Sequence, residues 1–257
     1  MKQEKLIEII TSLVHGAQTE DTEHGIKVSQ NGVLKPVENE IKNVGICLDL
    51  TEHVMQLARE MEIDFLIIHH SKGETVKERL AKLDGTGAYG LHLDLDIAEG
   101  GLIDRLADAV QLRSREPLAL AYKQSVISRG ALAGNLGISP GALIERIAML
   151  YSTAFKYMDL EVGMNAHKEK YQKAVVATGN PPGRELMRHA IEQKADVVIV
   201  GSLSNEAKKI ARDNRISVIC IGDYESHFPG LTRFRAEVYD RVDRGCYVAL
   251  LPNYRHN

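Results

Sequence analysis

The chain has 257 residues, enough for one large or two small domains, and its 44% hydrophobic content can build a core without covalent staples. Thirty-two Lys and Arg nearly balance 35 Asp and Glu, giving a formal net charge of −3 and excluding the basic footprint of a dedicated nucleic-acid binder. Cys47, Cys220 and Cys246 form no CxxC pair and no even-numbered framework, so neither a sulfur-based zinc site nor a disulfide scaffold is expected, and a reducing, cytoplasmic setting is.

Apolar residues at 6, 9, 10, 13 and 14 predict an amphipathic helix over Lys5 to Val14 rather than a signal peptide. No apolar run approaches the roughly 20 residues of a membrane span, so no membrane partner is expected. Asn31-Gly32, between Ile26 to Gln30 and Val33 to Val37, predicts a peripheral hairpin whose second arm is an edge strand because of Pro36. Strands are then predicted at Val44 to Leu50, Phe65 to Ile68 and Ala88 to Leu93, with helices at Glu52 to Met61, Thr75 to Leu83 and Leu102 to Val110. The alternation continues with strands at Pro117 to Ala121, Ala174 to Thr178, Val197 to Val200 and Val218 to Ile221. Helices at Gly141 to Tyr151, Arg184 to Gln193 and Asn205 to Asp213 separate them, and Cys246 to Leu251 forms a last strand. Continuous apolar strands between helices predict an α/β fold with mainly parallel sheets covered on both faces.

A weak internal repeat divides the chain. Met55 to Ala58 through Asp64 to His70 aligns without gaps on Met187 to Ala190 through Asp196 to Ser202, and His92 and Asp96 fall opposite Asp223 and His227. Two pseudo-repeated α/β halves are therefore expected, 1–125 with the peripheral hairpin and 126–257.

Imidazole and carboxylate are ligands of hydrolytic two-metal sites, and His69-His70 and His92-Leu93-Asp94-Leu95-Asp96 both stand where apolar strands stop. Adjacent strand residues point to opposite faces, so His69 and His70 can share a site only at a strand end, which the following Ser71-Lys72-Gly73 suits. That end is where open α/β sheets place ligands. Taken alone, the pair also reads as surface or hydrogen-bonded core histidines. Asp94 has the strand parity of His92 and Asp96 and reads as a decoy or a solvent-facing residue. His69, His70, Asp96, Asp223 and His227 would together supply three imidazoles and two carboxylates, enough for a dinuclear centre.

These motifs resemble the Nif-three-like dinuclear-metal hexamer family, whose members carry the description GTP cyclohydrolase 1 type 2 homologue. The resemblance runs from the N-terminal helix to about Phe234. It is carried by Leu48-Asp49-Leu50-Thr51, Asp64 to His70, Ala88 to Asp96 followed by Gly100-Gly101, and Ile221 to His227. In that family a double histidine, an Asp, and a C-terminal His-x-x-x-Glu hold the metals. Carried over, these are His69, His70 and Asp96, with Asp223 and His227 in the last two positions, so carboxylate and imidazole have exchanged places. A neutral imidazole does not bridge two metals as a carboxylate does, which puts any bridge at His227 in doubt.

The resemblance implies two divalent ions per subunit, zinc, iron or manganese, and a homohexameric toroid built as a trimer of dimers. It also implies hydrolase-like activity on a nucleotide such as GTP. His92 stands as a catalytic acid or base, an outer-shell partner or a structural residue. The rival readings are a non-catalytic metal-binding scaffold or regulatory protein, and a metal-free nucleotide-binding domain using the Thr178 to Arg184 turn. Arg184 and Lys72 would be the nearest cations to an anionic substrate. Cys47 and Cys220 read as core residues rather than nucleophiles, and His53 and His189 as surface or interface groups on the repeated helices.

Overall fold

The computed structural model describes residues 1–14, 31–122, 125–152, 160–165 and 167–253. In chain order the elements are α1 (Gln3–Ser12), β1 (Gly32–Lys35), β2 (Asn43–Cys47), α2 (Glu52–Glu60), β3 (Phe65–Ile68), α3 (Glu74–Ala81), β4 (Gly87–Gly90) and α4 (Leu93–Ile97). There follow α5 (Leu102–Ala109), β5 (Arg113–Tyr122), β6 (Ser125–Ile138), α6 (Pro140–Ser152), β7 (Glu161–Gly163), β8 (Tyr171–Ala177), α7 (Gly183–Glu192) and β9 (Val197–Val200). The chain closes with α8 (Asn205–Asp213), β10 (Ser217–Cys220), α9 (Asp223–Tyr239) and β11 (Tyr247–Leu250).

Two compact α/β units result, but they do not divide at 125/126. The second unit includes Leu102–Gly230, and residues from Leu231 onward belong with the first. The reason is strand pairing: β11 adds in parallel to β2, while β5 and β6 form a long antiparallel hairpin in the other sheet. The first sheet has the order β1-β4-β3-β2-β11, parallel except for β1. β1 is an edge strand, as expected of the second hairpin arm, but it stops before Pro36 and not at Val37; Ile26 to Gln30, the first arm, lies outside the described residues. The second sheet, β5-β6-β8-β9-β10-β7, is mixed rather than mainly parallel, because only β8, β9 and β10 align in parallel.

The continuous apolar strands are buried on both faces. In β9, Val198 and Val200 enter a cluster with Leu186, Met187 and Ala190 of α7 and Ala207 and Ala211 of α8. Val197 and Ile199 face the opposite way, toward Leu106 of α5 and Leu143 and Ile147 of α6. The two-residue strand period thus serves two helical layers at once. In the first unit, Leu66 and Ile68 of β3 pack with Val54, Met55 and Ala58 of α2 and Val76 and Leu80 of α3. Thr51 caps α2 by accepting from Val54 N–H at 3.2 Å, and Ser204 caps α8 by accepting from Ala207 N–H at 3.3 Å; such caps contribute about 1 kcal/mol.

The repeat is visible in hydrogen bonds as well as in sequence. Asp64 Oδ2 accepts from the backbone N–H groups of Lys42 and Asn43, both at 2.8 Å, and pins the entry of β2. Asp196 Oδ2 does the same for Gln172 and Lys173 at 2.6 and 3.1 Å, at the entry of β8, while its Oδ1 meets Lys168 Nζ at 2.7 Å. Two expectations need correction. Leu93 does not end a strand but begins α4, and Asp94 is half-buried rather than solvent-facing. The tight turn after α4 depends on Gly101, where a Cβ would meet the carbonyl oxygens of Leu95 and Ala98 at 2.4 and 2.8 Å.

Burial pushes the Asp196 carboxyl upward, but the Lys168 ammonium and the two backbone donors outweigh it and hold it below the ordinary value. A depressed folded-state value stabilises the fold above the ordinary carboxyl pKa of about 3.9, and that contribution is lost as pH falls through the folded value. Asp196→Ala should cost about 1–3 kcal/mol by stranding two backbone donors. Thermal melts should fall by roughly 2–4 °C per kcal/mol, and the corresponding acid-dependent loss should be missing from Asp196→Asn.

Candidate metal centre

In the first unit β2, β3 and β4 run parallel, so their C-terminal ends finish side by side. The ladder continues past β3: His69 N–H donates to the Cys47 carbonyl at 3.0 Å and His70 N–H to the Leu48 carbonyl at 2.8 Å. Ser71 N–H then donates to the His69 carbonyl at 2.9 Å, a three-residue turn that takes the chain off the sheet. Because the strand stops there, the His69 and His70 rings come to a centroid separation of 5.1 Å instead of pointing to opposite faces. His92, at the N-cap of α4, brings a third imidazole to 4.7 Å from His69 and 5.4 Å from His70.

The ring nitrogens have divided roles. His69 Nδ1 lies 3.0 Å from the Leu91 carbonyl, which can only accept, so Nδ1 carries the hydrogen and Nε2 keeps the lone pair. His70 Nδ1 faces Asp49 Oδ1 at 2.8 Å, which assigns the same tautomer. Asp96, one helical turn beyond His92, places Oδ2 3.4 Å from His69 Nε2. Two donors on one tetrahedral ion with bonds of about 2.0–2.1 Å stand about 3.3 Å apart, so this spacing suits a shared cation. Donor atoms of His69, His70 and His92 lie within 4.8 Å of one another. Imidazoles with a carboxylate, and no thiolate, fit a divalent cation of borderline hardness.

Asp94 is engaged elsewhere: its carboxylate accepts from the Asn31 side-chain amide, whose own oxygen accepts from His92 N–H at 3.2 Å. Burial and, after it, the Asp94 charge push the Tyr89 phenol above its usual value, so it stays protonated. Burial also raises the Cys47 and Cys220 thiols, which places both in the core and not among nucleophiles.

In the second unit Asp223 and His227 lie one turn apart at the start of α9. His227 is almost fully buried, and its Nδ1 donates to the Asp223 carbonyl at 2.7 Å, so Nε2 is the ring nitrogen that could meet a metal. Gly179, at φ 62°, is required here because a Cβ would come within 3.1 Å of His227 Cε1. Strand register shifts the expected correspondence of the repeat by one residue. Leu91 N–H donates to Ile68 and Ile221 N–H to Val200, so His92 falls opposite Gly222 and Asp96 opposite Ser226. The Thr178 to Arg184 turn spends its groups on the fold: Gly179 N–H donates to Ser226 Oγ at 2.9 Å, its carbonyl accepts from Ser202 N–H at 2.9 Å, and Arg184 pairs with Glu206. Lys72 is exposed.

The family model described as Duf34/NIF3 (NGG1p interacting factor 3) matches residues 1–251. The chain belongs to this family. A relative from Methanocaldococcus jannaschii named GTP cyclohydrolase 1 type 2 homolog is 24% identical over 257 residues, covering 95% of this chain and 97% of its own. One of the same name from Pyrococcus horikoshii is 27% identical, covering 79% of this chain and 82% of its own. The fold is that of reduced HcgD from Methanocaldococcus jannaschii, with a TM-score of 0.75, 24% identity and 98% of each chain covered. A Bacillus cereus protein related to NIF3 superposes equally well, with a TM-score of 0.75 at 14% identity over 96% of each chain.

Sequence reasoning assigned no role to Asp49 or Asn253. Asp49 had a usable signal, since it follows the strand beside the double histidine. Asn253 had none, because its position depends on β11 returning to β2. Asp96→Ala should weaken cobalt binding by more than about 100-fold, beyond the loss usual for outer-shell groups. Asp94→Ala should leave it within a few-fold, as isothermal titration will show.

Proposed function

We propose that the chain is a dinuclear metal-binding protein with hydrolase-type activity, of the GTP cyclohydrolase kind that its relatives' names denote. The donors are His69, His70 and Asp96 of the first unit and Asp223 and His227 of the second, and the ions are two divalent cations, zinc, iron or manganese. The observation that supports this reading is the common orientation: His69, His70 and His227 each turn Nδ1 to an acceptor, which makes Nε2 the nitrogen suited to an ion. Divalent ions supply Lewis acidity and, at neutral pH, a strong oxygen nucleophile.

The residues themselves do the rest. The main-chain anchors at Leu91 and Asp223 hold their imidazoles without further reorganisation. Asp96 and Asp223 offset part of the ionic charge and leave the site net positive, which suits an anionic nucleotide substrate. His92, beside both ligand histidines and outside the donor set, is the group placed to give or take a proton at the substrate. The exchanged pair would offer a carboxylate donor at Asp223 and an imidazole donor at His227, the reverse of the family's order.

The same reading includes a homohexamer built as a trimer of dimers, the assembly that the family resemblance implies. It also includes a cytoplasmic setting, supported by three cysteines that are all free. Among the described residues, no helix is long and apolar enough to cross a membrane.

Elemental analysis after saturation should give two ions per chain, falling by about one in Asp223→Ala, and light scattering should give six chains of 28.5 kDa. In a nucleotide-hydrolysis screen of metal-loaded protein, His70→Ala should abolish turnover and His92→Ala should lower it about 10²–10⁴-fold with metal retained. Turnover that survives His70→Ala sinks the metallohydrolase reading, and full metal content without turnover on any nucleotide favours a scaffold.

A further inference from the structure

His70 differs from the other two anchored ligands in the kind of group that orients it. His69 and His227 donate Nδ1–H to main-chain carbonyls, whereas His70 meets a carboxylate, Asp49 Oδ1 at 2.8 Å. Asp49 is itself held from the far end of the chain. Asn253 Nδ2 donates to Asp49 Oδ2 at 3.3 Å and to its carbonyl at 3.1 Å, and Asp49 N–H reaches Asn253 Oδ1 at 3.4 Å. Asn253 arrives there because β11 pairs in register with β2, and Leu251 N–H extends that ladder onto the Ile46 carbonyl at 2.8 Å.

We propose that Asp49 is a positioning residue for metal binding, itself oriented by Asn253, which fixes His70 as the Nδ1–H tautomer and strengthens Nε2 as a donor. The proposal rests on the metal-binding reading and deepens it. Free imidazole prefers hydrogen on Nε2, the wrong nitrogen to leave occupied at this site, so the tautomer has to be imposed. A carboxylate imposes it and also adds electron density to the ring, which a neutral carbonyl does far less, and such outer partners commonly carry 10–100-fold in metal affinity. Asn253 binds Oδ2 while the imidazole meets Oδ1, so the carboxylate is aimed rather than merely near. The bland alternative is a half-exposed ion pair, with side-chain exposures of 29% and 45%, contributing little to anything.

The two readings separate in the metal-free protein. Long-range nitrogen–proton correlation spectra in mildly alkaline solution should show His70 with hydrogen on Nδ1 in the unsubstituted chain and predominantly on Nε2 in Asp49→Ala. Asp49→Asn, whose amide oxygen still accepts, should keep the Nδ1–H form yet bind cobalt more weakly, because the negative charge is gone. Cobalt titration should show Asp49→Ala weakened by about 10–100-fold and Asn253→Ala by less, with melting temperatures near that of the unsubstituted protein. A His70 that carries hydrogen on Nε2 before any substitution, or an Asp49→Ala protein that keeps both tautomer and affinity, overturns the proposal alone. Failure of the unsubstituted protein to take up cobalt overturns the metal reading and this proposal with it.

Discussion

The parallel ladder joining β2, β3 and β4 is the constraint on which the first unit's chemistry depends. Side chains cannot be gathered at one place unless three separate strands stop at the same level, and the ladder forces them to. It also persists two residues past β3, so the backbone of His69 and His70 is held as firmly as any core residue although both stand at an edge. Burial of Phe65, Leu66, Ile67 and Ile68 on both faces fixes the register. A one-residue slip would draw Asp64 or His69 into an apolar position and push one of the four large side chains out of the core, losing about 1.5–3 kcal/mol for that side chain alone. The precision of the donor atoms is inherited from that apolar penalty.

The second unit uses the same plan with different residues at the strand ends. Gly201 and Ser202 stand where the first unit has His69 and His70, and Gly222 stands where it has His92. The glycines are not idle: a Cβ on Gly201 would come within 2.5 Å of the Gly179 carbonyl and 2.7 Å of Ser226 Oγ. Close packing against the first turn of α9 has replaced donor groups there, and Asp223 and His227 come from the helix instead of the strands. Duplication of a scaffold with divergence of its strand ends is a common route to unlike halves.

Much of this was legible in the sequence where one signal stood unopposed. β3, β9 and α8 match their expected bounds because an apolar run or a helical period is bracketed by polar residues. Elements were lost where a residue has two meanings. No strand was expected at β6; it carries Gly130 and Gly134, residues that weaken a strand signal, yet in the hairpin they are there for room, a Cβ on Gly130 colliding with Leu120 and one on Gly134 with the Arg113 carbonyl. α9 was hidden by Pro229 and Gly230, the latter packed against Leu102. His92 to Asp96 alternates like a strand while also carrying a four-residue helical spacing, and the tight turn at Gly101 decides for the helix. The double histidine and Asp96 were legible as ligand types; Asp49 was signalled only by its place after the neighbouring strand and Asn253 by nothing, because an orienting partner leaves no spacing of its own.

The return of β11 to the first sheet has a consequence for the order of events during synthesis. A ribosome delivers α1 through α4 first, but that sheet lacks a side, and Asp49 its amide partner, until β11 and Asn253 have emerged. Leu102–Gly230, the described part of the second unit, can close while this happens. The setting of His70 beside Asp49 is thus completed only when one of the last strands of the chain has docked, so a local contact at the strand ends waits on the longest-range pairing in the sheet.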